Sequence, residues 1–342
     1  MLKMLTKDQF KLIIAGTSSV TIALGFGRFA YTPILPYMQQ TLLMTSTEAG
    51  ILSSYNFLGY LIGASVPFLS KFYIGWQREV FFLGLFVSIL TTFAMGFTTD
   101  QLILIIIRLF AGVGSGITLV VGTSLIFDKI GEFNKPDIRL FHFSGFGIGI
   151  ALSSIIIPVV ADLNFTWQSQ WIVIGLISLL LIIPVMLFMP YEVQKNEIIT
   201  EKDLPKKFSL AFTLISVGYA LFGTGYIIFG TFISAMFFQP RDSMLLDQYV
   251  WLIVGIGAIP GALIWQKIAT ITAIDISLFL ACLTSSLGIF FTVDFSGDHA
   301  IAIGCFLYGI GMPGIVALAL LEGKRRFSGP LTIAVALLTL AF

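Results

Sequence analysis

The 342-residue chain has little charge, little cysteine and little histidine. Asp, Glu, Lys and Arg make up only 11% of it, less than half the roughly 25% usual in a soluble domain, while 57% is hydrophobic. A soluble globular protein is excluded. Cys282 and Cys305 are the only cysteines and both sit in apolar runs, so neither a disulfide framework nor a metal-ligand spacing is present. With 2 His and no cluster of His, Cys and carboxylate, an intramembrane metalloenzyme has nothing to hold a metal. No G-x-x-x-x-G-K-[ST] occurs, which leaves no ATP-hydrolysing engine in the chain. The net charge of +1 offers no basic footprint for nucleic acid. No catalytic constellation or cofactor motif is visible, so the chain is read as a non-enzyme without a cofactor.

What is present is a succession of apolar runs of about 20 residues, the length that crosses a bilayer. Hydropathy places ten spans near 12–38, 49–70, 80–98, 101–127, 140–160, 171–190, 208–238, 249–266, 271–293 and 300–321. An eleventh begins near Gly329 and offers only 14 residues up to Phe342, a rise of about 21 Å against a hydrocarbon core of about 30 Å. The one long polar stretch, 191–207 (YEVQKNEIITEKDLPKK), reads as a linker between halves 1–190 and 208–342. Of the 19 Lys and Arg, sixteen fall on the side of the N terminus, Arg241 alone on the other, and Arg28 and Arg108 inside spans. By the positive-inside rule the N terminus is cytoplasmic.

Sliding the chain on itself by 198 residues aligns Gly25, Gly27 and Met38 with Gly223, Gly225 and Met236, Gly63 and Ala64 with Gly261 and Ala262, and Gly116 with Gly314. One offset shared by three span pairs predicts a repeat of six spans in the same orientation. A complete repeat would need about 46 further residues, so helix 11 is expected to be incomplete and helix 12 absent.

Arg28 is the sharpest feature. A guanidinium in hydrocarbon costs at least ~2.5–3.5 kcal/mol unless it faces a polar interior. One reading makes it a cationic anchor for an anionic solute; the other satisfies it with helix-end carbonyls near Pro33 and Pro36 and with Glu48. Arg108 precedes Gly112, Gly114 and Gly116, whose spacing suits close helix packing or sliding, and it either faces the solute or holds loop carbonyls. Gly145 and Gly149 give the fifth span a flexible, small-residue face, and His142 at its start is a candidate for proton coupling. Tyr31, Tyr219, Tyr226 and Tyr308 are the larger polar groups within spans, with Tyr226 at the repeat position of Arg28.

These residues resemble the major facilitator superfamily. Arg108 with its spaced glycines is similar to that superfamily's fourth-helix motif, and GFGRFAYTPILPYMQ, from Gly25 to Gln39, with TGYIIFGTFISAM in span 7, is similar to its bacterial YbfB/YjiJ branch. The loop after span 2 reads SKFYIGWQREVF and lacks the Asp of the superfamily's Gly-Asp-Arg-Gly pattern. The resemblance implies an all-α polytopic protein of 6+6 helices whose helices 1, 4, 7 and 10 line a central cavity. It implies a secondary transporter of the bacterial inner membrane working by alternating access, expected to be a monomer; the embedded charge of Arg28, with no carboxylate nearby in sequence, makes a small anionic or zwitterionic organic solute the expected cargo. Substrate contacts fall to Arg28, Arg108, Tyr31, Tyr219, Tyr226 and Tyr308; the partners are the solute and the lipid bilayer, with no nucleic acid and no ATP. A non-transporting, truncated remnant or membrane sensor is the competing reading.

Overall fold

The computed structural model describes residues 5–72, 75–133, 140–190, 209–238, 244–295, 297–327 and 331–341. The expected linker 191–207, together with Lys135, Arg139 and Arg241, lies outside them. Among the described residues the chain is all helix and turn, with no strand. The helices are α1 (Lys7–Leu42), α2 (Ser46–Ala64), α3 (Gln77–Phe97), α4 (Gln101–Glu132), α5 (Phe141–Asp162), α6 (Trp167–Phe188), α7 (Leu210–Phe237), α8 (Met244–Ile271), α9 (Ile274–Asp294), α10 (Asp298–Arg326) and α11 (Leu331–Ala341).

Several starts are written into the sequence as caps that satisfy otherwise orphaned backbone N–H groups. The Gln9 N–H donates to Thr6 Oγ1 at 3.3 Å while the Thr6 N–H donates to Gln9 Oε1 at 3.1 Å, a reciprocal capping box. Thr45 and Glu48 repeat it at α2. Asp100 caps α4 and Ser209 caps α7 in the simpler one-way form.

Among the described residues nine helices are long and apolar enough to cross a membrane. The two others are α11, with 11 residues, and α2, which has the length but carries Ser53, Ser54, Tyr55 and Asn56 in its middle. The expected second span ran to residue 70; the α-helix instead ends at Ala64 and continues as the 3₁₀ segment Val66–Phe72, where Pro67 has no N–H to give an α-helical ladder.

The 198-residue offset reappears as packing. A Cβ at Gly59 of α2 would stand 3.0 Å from the Val113 backbone nitrogen of α4, and one at its counterpart Gly257 of α8 would stand 2.6 Å from the Phe306 carbonyl oxygen of α10. Both pairs of helices approach backbone to backbone because no side chain intervenes. The halves meet along α5 with α8 and α1 with α7. Helix α11 packs against α2 and α4 of the first half and α7 and α10 of the second, and its Ile333, Ala334, Val335, Ala336 and Leu338 are fully buried.

Candidate functional site

Helix α1 changes its hydrogen-bond ladder just before Arg28. Thr21–Phe26 form a π-helical turn, in which the Gly27 N–H donates to the Ile22 carbonyl at 2.9 Å and the Phe29 N–H to the Leu24 carbonyl at 2.9 Å. Residue 33 is proline and cannot donate to the Phe29 carbonyl, which accepts the Thr32 N–H at 3.2 Å instead. Such turns inside α-helices concentrate at functional sites. The break also requires close approach: a Cβ at Gly25 would stand 2.6 Å from Gly149 Cα of α5.

The re-phased backbone buries Arg28, 5% exposed, in an aromatic sleeve. Its guanidinium carbon lies 3.9 Å from the ring centre of Phe57, 4.5 Å from Tyr60, 5.6 Å from Tyr226 and 5.8 Å from Phe29. These faces stabilise the cation through their quadrupoles. Nε and Nη2, the two nitrogens whose parallel N–H bonds fit a carboxylate, are buried without a hydrogen-bond partner among the described residues. Glu48, which one reading of the sequence offered to Arg28, accepts from the Thr45 N–H and hydroxyl. That interaction holds the Glu48 carboxyl below its ordinary range.

Arg108 of α4 is 2% exposed. Nη1 donates to the Gly27 carbonyl at 3.1 Å, so the residue after the π turn is tied to α4. Its guanidinium carbon lies 4.6 Å from the Tyr31 ring centre, and its Nε is buried without a hydrogen-bond partner among the described residues. The Tyr31 hydroxyl donates to the Ala49 carbonyl at 3.0 Å, and the Asn56 amide to the Arg108 carbonyl at 3.0 Å.

Both arginines line one narrow cavity of about 20 Å³ between α1, α2, α4 and α7. Tyr31 and Tyr226 line it with them. Its wall is closed by hydrogen bonds that cross between the halves: the Thr32 hydroxyl donates to the Gly230 carbonyl at 2.6 Å, and the Ser53 and Thr231 hydroxyls lie 2.8 Å apart. Thr32 with Gly230, and Arg28 with Tyr226, are pairs separated by the repeat offset of 198. Residues on the axis of a two-fold repeat meet their own counterparts, and these do.

The remaining expected site residues are placed elsewhere. Tyr308 of α10 stands behind the cavity wall, its hydroxyl donating to the Tyr226 carbonyl at 3.4 Å and its ring 4.5 Å from Phe229. Tyr219 borders a separate, mainly apolar cavity of about 290 Å³ with Leu214, Leu278, Phe279 and Cys282, because it lies two helical turns from Tyr226 on α7. The imidazole of His142 is buried beside Phe127 and Phe143, with Nε2 3.3 Å from Thr123 Oγ1, and does not line the arginine cavity. Gly112 and Gly116 bring α4 onto α2, and Gly114 brings it onto α3. Gly145 and Gly149 bring α5 onto α1.

Two groups escaped the sequence reading. The hydroxyls of Thr32, Ser53 and Thr231 are ordinary in composition and acquire meaning only across the interface. Glu322 is 1% exposed at the end of α10 and pairs with Arg325 and Arg326, while Arg326 also reaches Asp275 at 2.8 Å. The hydrogen bond and charge of Glu322, with help from Asp275, hold the Arg326 guanidinium above its ordinary range. Spacing of three and four residues along α10 was the available signal.

The family described as "Uncharacterised MFS-type transporter YbfB" matches residues 20–342. Among solved structures, a point mutant of the nucleoside transporter NupG is similar at a TM-score of 0.70, with 13% identity over 98% of this chain and 87% of that one. The NupG structure itself gives a TM-score of 0.69 with 13% identity, over 98% and 89%. The chain belongs to the YbfB-like family of major facilitator superfamily transporters, and its fold is that of the superfamily.

Proposed function

We propose that this member of the YbfB-like family is a secondary transporter that holds a small organic anion at Arg28, in the cavity between halves 1–190 and 208–342, and passes it across the bacterial inner membrane by alternating access with the N terminus in the cytoplasm. The observation that carries the reading is the unpartnered Nε and Nη2 edge of Arg28. A buried charge is costly unless it is paired and hydrogen-bonded. Here the ring faces shield the plane of the guanidinium while Nε and Nη2 await an acceptor, and among the described residues no Asp or Glu lines the cavity. A carboxylate of the solute supplies both the charge and the paired acceptors. The cavity, about 20 Å³, has room for about one water as it stands, so the solute enters only as the two halves part. The likeness to a nucleoside transporter is a likeness of fold at 13% identity and brings no substrate with it.

The test is calorimetric binding to the purified chain in lipid nanodiscs, with butyrate as the monoanion and uridine as a neutral nucleoside. Butyrate binds and uridine does not; Arg28→Gln weakens butyrate by about tenfold to a hundredfold, the worth of one charge-assisted contact, and Arg28→Lys by less. Tighter binding of uridine, or unchanged butyrate binding in a folded Arg28→Gln, rejects the anion role.

A further inference from the structure

We infer that the solute is a dianion, a short dicarboxylate, with one carboxylate on Arg28 and the second on Arg108. The inference rests on the anion reading above and goes beyond it in assigning Arg108 a direct contact and the solute a second charge. Three observations carry it.

The two arginines line the same cavity, and no Asp or Glu is among its described lining residues, so that lining carries two positive charges and no negative one. A monoanion would neutralise one guanidinium and leave the other buried and uncompensated; a dianion neutralises both. Charge therefore selects for two carboxylates rather than one.

The geometry of Arg108 agrees. A guanidinium offers two kinds of edge: the side formed by Nε and Nη2, and the tip formed by the two Nη atoms. Arg108 spends Nη1 on the Gly27 carbonyl. The bond holds the group in place from the far corner while its Nε, on the side edge, has no hydrogen-bond partner among the described residues. Arg28 likewise has its side edge, Nε and Nη2, without a partner. Two pre-oriented edges in one cavity match two planar carboxylates, whereas a single carboxylate engages only one of them.

The walls agree with a short aliphatic connector. Besides the arginines the cavity is lined by Phe29, Phe57 and Ile227, and its hydroxyls from Thr32, Ser53 and Thr231 are engaged with the opposite half. Nothing there asks for a polar middle such as a sugar.

The experiment compares succinate with butyrate, two four-carbon acids that differ in one carboxylate, on the purified chain in nanodiscs. In the wild type succinate binds more tightly by about tenfold or more, the scale of one added charge-assisted contact. Arg108→Gln brings the ratio of the two dissociation constants close to one, while Arg28→Gln weakens both acids. Arg108→Lys keeps the charge without the fork and leaves an intermediate ratio; should Arg108→Gln fail to elute as a folded species, this variant decides, and a wild-type ratio in it overturns the assignment. Equal binding of succinate and butyrate by the wild type overturns the dianion and leaves the anion role of Arg28 standing. Binding of uridine with neither acid overturns both.

Discussion

Helices α1 and α7 occupy equivalent places in the repeat and solve different problems. Helix α7 runs unbroken over the 28 residues Leu210–Phe237 and presents Tyr226. Helix α1 interrupts its ladder with a π turn, carries Pro33 and Pro36, and presents Arg28 at the same position. The surroundings differ in step. The most apolar stretch of α1 is 67% buried and that of α7 only 28%, because α6 packs on α1 and α3 in the first half and no described helix covers the matching faces of α7 and α9. Duplication thus supplied one scaffold twice, and charge was placed on one copy only. A guanidinium in hydrocarbon needs a polar or protein-enclosed setting, and Arg28 on α1, 5% exposed, has one; a tyrosine is less demanding.

The largest effect tests whether the halves share an orientation. Single cysteines at Lys129, at the end of α4, and at Lys267, near the end of α8, in a background free of Cys282 and Cys305, are both expected to react only from the cytoplasmic face. Labelling of one by an impermeant reagent in intact cells would break the parallel repeat. Labelling of both would invert the topology.

Next comes the asymmetry of charge. Arg28→Gln lowers anion affinity by about tenfold to a hundredfold, about 1.5–3 kcal/mol, whereas Tyr226→Phe, which keeps the ring over Arg28, changes it by less than about threefold. Titration of both variants beside the wild type decides; equal losses would mean that the two copies share the work.

The backbone break predicts a contrast in stability. A Cβ at Gly27 would stand 2.7 Å from the Ala23 carbonyl oxygen, while one at Gly225 meets nothing within 4 Å. Gly27→Ala should destabilise by about 1–3 kcal/mol, as crowding does in packed interiors, and Gly225→Ala should be neutral or gain up to about 1 kcal/mol from helix propensity. Thermal unfolding in detergent reads both, and a matched loss at Gly225 would remove the distinction between the helices.

The smallest effect concerns the seam. Thr32→Val removes one bond between the halves, worth about 0.5–1.5 kcal/mol, on the face where Ser53 and Thr231 also pair. An increased rate of modification of a cysteine placed at Ile227, read from the same side in Thr32→Val with Ser53→Ala, is the expected sign of a loosened seam; an unchanged rate would show that packing alone holds it closed.

The helices were legible because spans in lipid must be long, apolar and internally hydrogen-bonded, and because caps such as Thr6 with Gln9 mark their starts. The boundaries of α1 and α2 were less so. Hydropathy does not register a π turn, nor the change from α to 3₁₀ ladder at Pro67. At the site, Arg28, Arg108, Tyr31 and Tyr226 could be singled out since polar groups are conspicuous among apolar ones. Tyr219 and Tyr308 looked the same by that criterion and lie outside the cavity: Tyr219 shares the face of Tyr226 but sits two turns away at another depth, and an apolar span does not advertise which positions look inward.

By itself the sequence determined that the chain spans a membrane, that it repeats with an offset of 198, and that two arginines must be accommodated inside it. These follow from local quantities: hydropathy, spacing, and the cost of a charge in hydrocarbon. Only the tertiary structure decided that Arg28 and Arg108 share one cavity, that Arg28 stacks on its own repeat counterpart at 5.6 Å, and that Glu48 belongs to Thr45. The partners of Arg28 come from α1, α2 and α7, distant in sequence, and which side-chain edges stay open depends on the angles at which those helices cross. Crossing angles are set by glycine contacts and interlocking side chains acting together, a collective property that no single segment of the chain encodes.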